Sequence, residues 1–233
     1  MVNEGCRLTD SNAQQWSKQW LGYEFSSPQL LEVALTHKSR ARANNERLEF
    51  LGDAVLGMVM AEALFMADRE ADEGDLSRLR SALVRTSTLA EIALELDIAS
   101  QLRLGAGEKR SGGHQRRSIN ADTVEAVIGA VYRDGGYTAA RDVILRLYAE
   151  RLADLPDPAQ LKDAKTRLQE LLQSRSLAVP EYEVVKQSGP DHARRFEVEC
   201  SVLELKIKVS GRGGSRRAAE QDAASQVLEQ MGA

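Results

Sequence analysis

The chain has little of what secreted or membrane-spanning proteins usually need. It has two cysteines, Cys6 and Cys200, which are too few and too far apart for a disulfide framework or a zinc site. Its longest unbroken apolar run is far shorter than the ~20 residues that cross a bilayer. The polar N-terminus up to Gln19 lacks the apolar centre of a signal peptide. These absences predict a soluble, cytoplasmic protein that has no membrane partner.

A large excess of either charge is also lacking. The 233 residues include 31 Lys and Arg against 35 Asp and Glu, a net charge of −4, so bulk charge does not indicate a general polyanion binder. Residues 160–233 hold 12 of the basic and 11 of the acidic residues, which leaves 19 basic and 24 acidic residues in the rest of the chain. Any contact with nucleic acid must therefore come from locally placed basic residues.

Residues 10–153 have helical periodicity, and no convincing alternating strand pattern occurs among them. The predicted helices are 13–21, 28–35, 46–68, 75–94, 122–133 and 138–152. Residues 105–118 contain four glycines and no period, which predicts a loop. Pro156 and Pro158 exclude helix locally and predict an extended spacer between two domains.

The chain after the prolines has a different pattern. Asp163 is placed to cap a helix that runs to about Ser174. Alternating apolar residues predict strands at 182–185, 196–202 and 205–209, with Cys200 in the core, and a final helix follows at 217–231. The predicted fold class is an all-α domain followed by a small α+β (α-β-β-β-α) domain.

Three carboxylates, Glu46, Glu49 and Asp53, are spaced to share one face of the helix at 46–68. One turn later that face becomes apolar, which predicts a helix buried on every side with its acids at the mouth of a core. Grouped acids of restricted hydration repel one another unless a cation lies among them. A metal ion is the simplest candidate.

A second pair of acids, Asp122 and Glu125, has the same spacing on another apolar helix. Gly57 and Gly129 each lie one turn beyond the acids, so we expect the two helices to approach closely there and bring the carboxylates together. Ligands that are all oxygen favour Mg²⁺ or Mn²⁺ over zinc.

These motifs resemble those of the ribonuclease III family. The nine residues NERLEFLGD at 45–53 resemble the family signature, and ADTVEA at 121–126 and DEGD at 72–75 are similar to further family motifs. The resemblance runs from about residue 8 to 231. It implies a catalytic domain at 8–153, a linker at 154–161 and a double-stranded RNA-binding domain at 162–232.

The resemblance implies an endoribonuclease that depends on Mg²⁺, for which Mn²⁺ can substitute, and that uses no small-molecule cofactor. It would cut double-stranded RNA to 5′-phosphate and 3′-hydroxyl ends, processing structured precursors such as ribosomal RNA precursors and some mRNAs. By position, the metal ligands would be Glu49, Asp53, Asp122 and Glu125, of which Asp53 and Glu125 would be catalytic. Glu46 and Glu73 match supporting acids, and Phe50 matches a contact between the subunits of a homodimer.

The C-terminal part resembles a double-stranded RNA-binding domain on three surfaces. The residues implied in RNA binding are Thr166, Gln169 and Glu170 on the first helix, His192 in a loop, and Ser215, Arg216 and Arg217 at the start of the last helix. Two positions depart from the family pattern. Glu220 stands where many such domains carry a third lysine, and Asn120 stands where an apolar residue is common.

Two other functions compete with this interpretation. One is an RNA-binding regulator that holds duplexes without cutting them, although such a protein has little reason to keep all four acids. The other is an all-helical carboxylate metal protein with different chemistry, which would leave the C-terminal domain unexplained.

Overall fold

A computed structural model describes residues 4–190 and 193–232, and the side chains from residue 12 onward. The chain divides into two compact units, Met1–Pro156 and Asp157–Ala233. The first unit is helical in its described part. Its helices are α1 (Glu4–Trp20), α2 (Pro28–Ala34), α3 (Glu46–Ala67), α4 (Glu73–Val84), α5 (Thr86–Glu95), α6 (Ile98–Gln101), α7 (Ala106–Arg110), α8 (Arg117–Leu147) and α9 (Ala149–Ala153).

Helices α3 and α8 form the centre of the first unit, and α5 and α2 pack on α8. The core side of α3 contains Leu48, Val55 and Val59, all buried. The backbone of α8 departs from helical geometry at Gly136, whose φ of 76° is readily adopted by glycine. This break lies between the two helices predicted at 122–133 and 138–152.

Two predicted segments differ from the structure. The helix predicted at 75–94 is interrupted at Arg85, which is extended. There the Thr88 hydroxyl donates to the Ala82 carbonyl at 2.8 Å, a local bond of the kind that competes with helix formation. The loop predicted at 105–118 contains the short helix α7 and a 3-10 turn at Gly113–Gln115, and α8 already begins at Arg117.

The second unit has the predicted order of elements. Its elements are α10 (Ala164–Ser174), β1 (Glu181–Ser188), β2 (Arg195–Val202), β3 (Ile207–Gly213) and α11 (Arg216–Gln230). The strands form an antiparallel sheet in the order β1-β2-β3. The Asp163 side chain caps α10 by accepting from the Thr166 amide at 2.9 Å. The predicted fold class is therefore confirmed for both parts of the chain.

The core of this unit lies between the two helices and one face of the sheet. It contains Leu168, Leu172, Val198, Cys200, Val202, Ala223 and Val227, all fully or almost fully buried. Two local predictions are wrong. Leu205 lies in a 3-10 turn before β3, not in a strand, and the segment after Pro156 contains a 3-10 turn at Pro158–Leu161. Pro158 fits the first position of that turn because no donor is needed there.

Candidate metal centre and RNA-binding surface

Helices α3 and α8 cross with their backbones in direct contact at two glycines. A Cβ atom placed on Gly52 would lie 1.8 Å from the carbonyl oxygen of Glu125, and one on Gly129 would lie 2.2 Å from that of Leu48. The expected close approach therefore exists, but the residue on α3 is Gly52. Gly57, the predicted partner, has no described residue of another helix within 4 Å of its hypothetical Cβ.

This crossing brings carboxylates from the two helices together. Glu49, Asp122 and Glu125 each place a ligand atom within 4.8 Å of the others, and all three are partly buried. The donors are three carboxylate oxygens from two rigid helices, with no sulfur or imidazole. That donor set fits a hard divalent cation such as Mg²⁺.

The acids of this cluster destabilise one another's charged forms. The pKa of Glu125 is raised to about 8, first by burial and then by the charges of Asp53, Asp122 and Glu49. Burial and the neighbouring Asp122 charge also raise the pKa of Glu49. Burial raises the pKa of Asp122, although nearby His37 and Lys38 partly oppose the shift. The site therefore favours a bound cation.

The other predicted acids lie around this cluster. Asp53 is exposed and, among the described residues, places no oxygen in the 4.8 Å group, yet its charge acts on Glu125 and Glu49. Glu46 is exposed and accepts from the Lys38 ammonium at 2.9 Å. Glu73, also exposed, accepts from the Ser77 hydroxyl at 2.8 Å at the start of α4. The structure does not bring Glu73 into the acidic group.

Sequence reasoning missed the cationic side of the site. His37 Nδ1 lies 2.8 Å from the Ser39 hydroxyl, and His37 also lowers the pKa of Asp122 electrostatically. Lys38 acts electrostatically on Glu46, Glu49 and Asp122. The signal available in the sequence was a lysine eight residues before Glu46.

Asn120 lies two residues before Asp122 and is only 5% exposed. Its amide donates to the carbonyl of His114 at 3.0 Å, while its Oδ1 has no hydrogen-bond partner among the described residues. The residue therefore joins the start of α8 to the preceding turn, a role that an apolar residue cannot fill.

The prediction that α3 is buried on every side is wrong. Phe50 is 79% exposed, and Met58 and Phe65 are also largely exposed. These residues and Ala54 are spaced to form a single exposed apolar stripe, which we call the α3 stripe. Helix α3 is also, among the described residues, long and apolar enough by length and composition to cross a membrane. The longest unbroken apolar run does not reveal this property of α3, because Asp53 and Glu62 interrupt the apolar sequence of the helix.

The first predicted RNA-binding surface lies on α10. Gln169 and Glu170 are exposed, and Thr166 is half-buried. Glu170 accepts from the Lys162 ammonium at 2.7 Å. The Gly189–Pro190 turn precedes the second predicted surface, but His192 itself lies outside the described residues.

The third predicted surface is the start of α11. Ser215 caps the helix by accepting from the Ala218 amide at 3.1 Å. Arg216 donates through Nε to Glu220 at 2.8 Å. Arg217 is 83% exposed at its side chain, with the nearest acidic oxygen, on Asp163, 3.9 Å away. Cations at a helix N-terminus are well placed for phosphates.

Both units match known families. Residues 27–152 match the model of the "Ribonuclease-III-like" family, and residues 164–231 match the double-stranded RNA binding motif. The two matches therefore fall on the helical unit that holds the acids and on the α-β-β-β-α unit.

Curated relatives extend over most of the chain. It is 52% identical over 211 residues to "Ribonuclease 3" of Alkalilimnicola ehrlichii, covering 91% of this chain and 92% of that protein. It is 55% identical over 210 residues to "Ribonuclease 3" of Bordetella pertussis, covering 90% and 82%. Among solved structures, the nuclease domain of ribonuclease III from Campylobacter jejuni is similar, with a TM-score of 0.58 and 42% identity. That match covers 60% of this chain and 99% of the other, and the description of that structure mentions a region involved in dimer formation.

Proposed function

The chain belongs to the ribonuclease III family and is an endoribonuclease of that type, and on this premise we propose that it cuts double-stranded RNA in a Mg²⁺-dependent reaction. The products would be 5′-phosphate and 3′-hydroxyl ends. The substrates would be structured precursors, such as ribosomal RNA precursors and some mRNAs, in the cytoplasm. We assign catalysis to residues 8–153 and RNA binding to residues 162–232, joined by the linker 154–161.

The observation that carries the proposal is the acidic group at the α3–α8 crossing. Glu49, Asp122 and Glu125 have ligand atoms within 4.8 Å of one another, and Asp53 acts electrostatically on the same group. We propose these four residues as the ligands of Mg²⁺, for which Mn²⁺ can substitute. When bound, the ion would lower the pKa of a coordinated water and neutralise charge on the phosphodiester.

Each acidic residue would have its own part in this chemistry. We propose that Asp53 and Glu125 face the reacting water and phosphate, while Glu49 and Asp122 complete the binding of the ion. Glu46 and Glu73 would support the site, Glu46 through its 2.9 Å ion pair with Lys38. No protein nucleophile is needed because water is the attacking group. A non-cleaving regulator would not need this cluster.

Removal of the metal tests the proposed reaction. The full-length protein incubated with a labelled RNA duplex should cut it in Mg²⁺ and leave it intact in excess chelator, because the chelator removes the ion that would activate water and neutralise charge on the phosphodiester. Adding Mg²⁺ back should restore cutting. Cleavage that continues in chelator would exclude the metal mechanism, and binding without cleavage in Mg²⁺ would support the non-cleaving alternative.

We further propose that the α3 stripe is the interface of a homodimer. An exposed phenylalanine and methionine on one helix form an apolar patch that a second copy can cover. Phe50 lies beside a cleft of about 980 Å³ whose lining includes Leu30, Val33 and Arg133. In a symmetric pair, each Phe50 could fill the cleft of the other subunit.

Substitution of Phe50 tests the dimer. Phe50→Asp should yield monomers in sedimentation velocity at micromolar concentration, because it places a charge in an apolar interface. Leu94→Asp is the matched control, since Leu94 is a 68% exposed apolar residue on a different helix, α5, and it should leave the dimer intact. A dimer that survives Phe50→Asp would rule out the α3 stripe as the interface.

For the C-terminal unit we propose contacts with the shape of duplex RNA. Thr166, Gln169 and Glu170 would face one minor groove, and His192 would reach the next. Arg216 and Arg217 would hold phosphates, with Ser215 beside them as the helix cap. Domains of this class recognise A-form geometry and 2′-hydroxyls more than sequence.

A further inference from the structure

We propose that Glu220 is an internal counter-anion that lowers the affinity of this protein for duplex RNA by neutralising two cations, Arg216 at the start of α11 and Lys165 on α10. This role rests on the proposed function, because it requires RNA phosphates to approach that helix end. It concerns binding strength and not the chemistry of cleavage.

Glu220 is buried between two positive side chains. Its side chain is 11% exposed, and both carboxylate oxygens are occupied. Oε1 accepts from Arg216 Nε at 2.8 Å, and Oε2 accepts from Lys165 Nζ at 2.6 Å. Burial pushes the pKa of Glu220 up, but the bonds from Lys165 and Arg216 outweigh it, and the pKa lies below its usual value. The carboxylate is therefore charged at neutral pH.

The two partners of Glu220 differ in how firmly they are held. The Lys165 ammonium also lies 4.4 Å from the centre of the Tyr182 ring, so a carboxylate and an aromatic face both bind it. Arg216 is more exposed, at 64% of its side chain, and contacts Glu220 from one helical turn away. Arg217, 83% exposed, is 3.9 Å from its nearest acidic oxygen. Arg217 therefore keeps the least compensated charge of the three.

Neutralised cations contribute less to RNA binding. Binding to RNA is driven largely by the release of counterions from phosphates, and each cation that meets a phosphate adds to the salt dependence of the affinity. A lysine and an arginine that already share a buried carboxylate present a combined charge of +1 instead of +2. The surface formed by Lys165, Arg216 and Arg217 should therefore bind phosphates more weakly than three basic residues suggest.

Glu220→Gln tests this role because it removes the charge and keeps the shape. Binding of a labelled RNA duplex to the full-length protein is measured in chelator over a series of salt concentrations. Glu220→Gln should bind about threefold to tenfold more tightly, with a salt slope steeper by up to about one unit. The matched control is Glu229→Gln, the same charge change at an exposed position in the last turn of α11, which should change the affinity less than twofold.

The direction of the result decides between two roles. If Glu220 instead orients Lys165 and Arg216 toward phosphates, Glu220→Gln will bind RNA more weakly, and the proposal fails. An affinity equal to that of the wild type also overturns it. Glu220→Gln could destabilise the fold by leaving the Lys165 ammonium without its partner, and a melting curve detects this. If Glu220→Gln is destabilised, RNA binding is measured instead with the double variant Lys165→Gln and Glu220→Gln. An affinity of this double variant no higher than that of the wild type overturns the proposal.

A further variant tests the counter-anion role of Glu220 separately from the proposed phosphate site at α11. Arg216→Ala combined with Arg217→Ala should weaken binding and flatten the salt slope, because two phosphate contacts are lost. If that variant binds normally, the proposed phosphate site at α11 is wrong. If it binds weakly while Glu220→Gln gains nothing, only the counter-anion role is wrong.

Discussion

Glu125→Gln should lose at least about a thousandfold in the rate of duplex cleavage, roughly 4 kcal/mol of transition-state stabilisation, while still binding RNA. Glu125 belongs to the acidic group; it is partly buried, and the charges of Asp53, Asp122 and Glu49 act on it. The amide keeps the shape of the side chain but removes the negative charge that a Mg²⁺ ligand must provide. Cleavage is measured in single-turnover assays in Mg²⁺, and binding is measured in chelator.

The control for this variant is Glu150→Gln, an exposed acid on α9, which should cleave at the wild-type rate. Wild-type cleavage by Glu125→Gln would remove this residue from the proposed mechanism. Loss of both cleavage and binding would point instead to a folding defect, which circular dichroism can detect.

Stability provides a second measurement on the same variant. The pKa of Glu125 is raised from 4.5 to about 8 in the folded chain, so the folded state binds a proton more tightly than the unfolded state. In chelator, the stability from this group is complete below about pH 4.5 and is lost as the pH rises toward 8. The wild type should therefore lose stability over this range, and Glu125→Gln should lose less. Equal pH profiles would contradict the raised pKa.

Gly52→Ala should destabilise the catalytic unit by at least about 3 kcal/mol, a fall of roughly 6–12 °C in melting temperature. The added Cβ would lie 1.8 Å from the Glu125 carbonyl oxygen, a backbone atom that cannot yield unless the helices separate. Separation would also part Glu49 from Asp122 and Glu125. Activity should fall together with stability.

The matched control is Gly57→Ala, five residues along the same helix. No described residue of another helix lies within 4 Å of its hypothetical Cβ, and alanine favours a helix interior over glycine by about 0.5–1 kcal/mol. Gly57→Ala should therefore melt at the same or a higher temperature. Thermal melts of the two variants measure the difference, and equal effects would show that the crossing at Gly52 is not rigid.

These two glycines also show how far the sequence predicts the acidic site. Helical spacing correctly placed the acids of each helix on one face and correctly identified Gly129 as a contact. It selected Gly57 over Gly52 because it placed the crossing on the acid face of α3. Gly52 lies about 140° around the helix from Gly57, nearer the buried side of Leu48 and Val55. Lys38 was missed for a related reason, since it reaches the acids from a loop with no period.

The sequence also predicted the burial of α3 incorrectly. The apolar run on α3 predicted a helix enclosed on all sides, whereas Phe50 and Met58 are exposed. Composition cannot distinguish a face that packs inside one chain from a face that a second chain covers, because both are apolar. In the C-terminal unit one face of the sheet is exposed to solvent, so the alternation of apolar and polar residues located most of its strands. The sequence showed that Glu220 replaces a lysine, but not that it is buried between two cations.

Helix α3 carries both the acids and the apolar stripe, with Glu49 and Phe50 adjacent in the chain and Asp53 one turn later. A continuous helix behaves as a stiff rod, so its two edges cannot move independently. If two copies meet through Phe50, the distance between their two acidic groups becomes a fixed length. If both acidic groups then cut the same RNA duplex, the separation of the two cuts would be set by this fixed length and not by the length of the RNA.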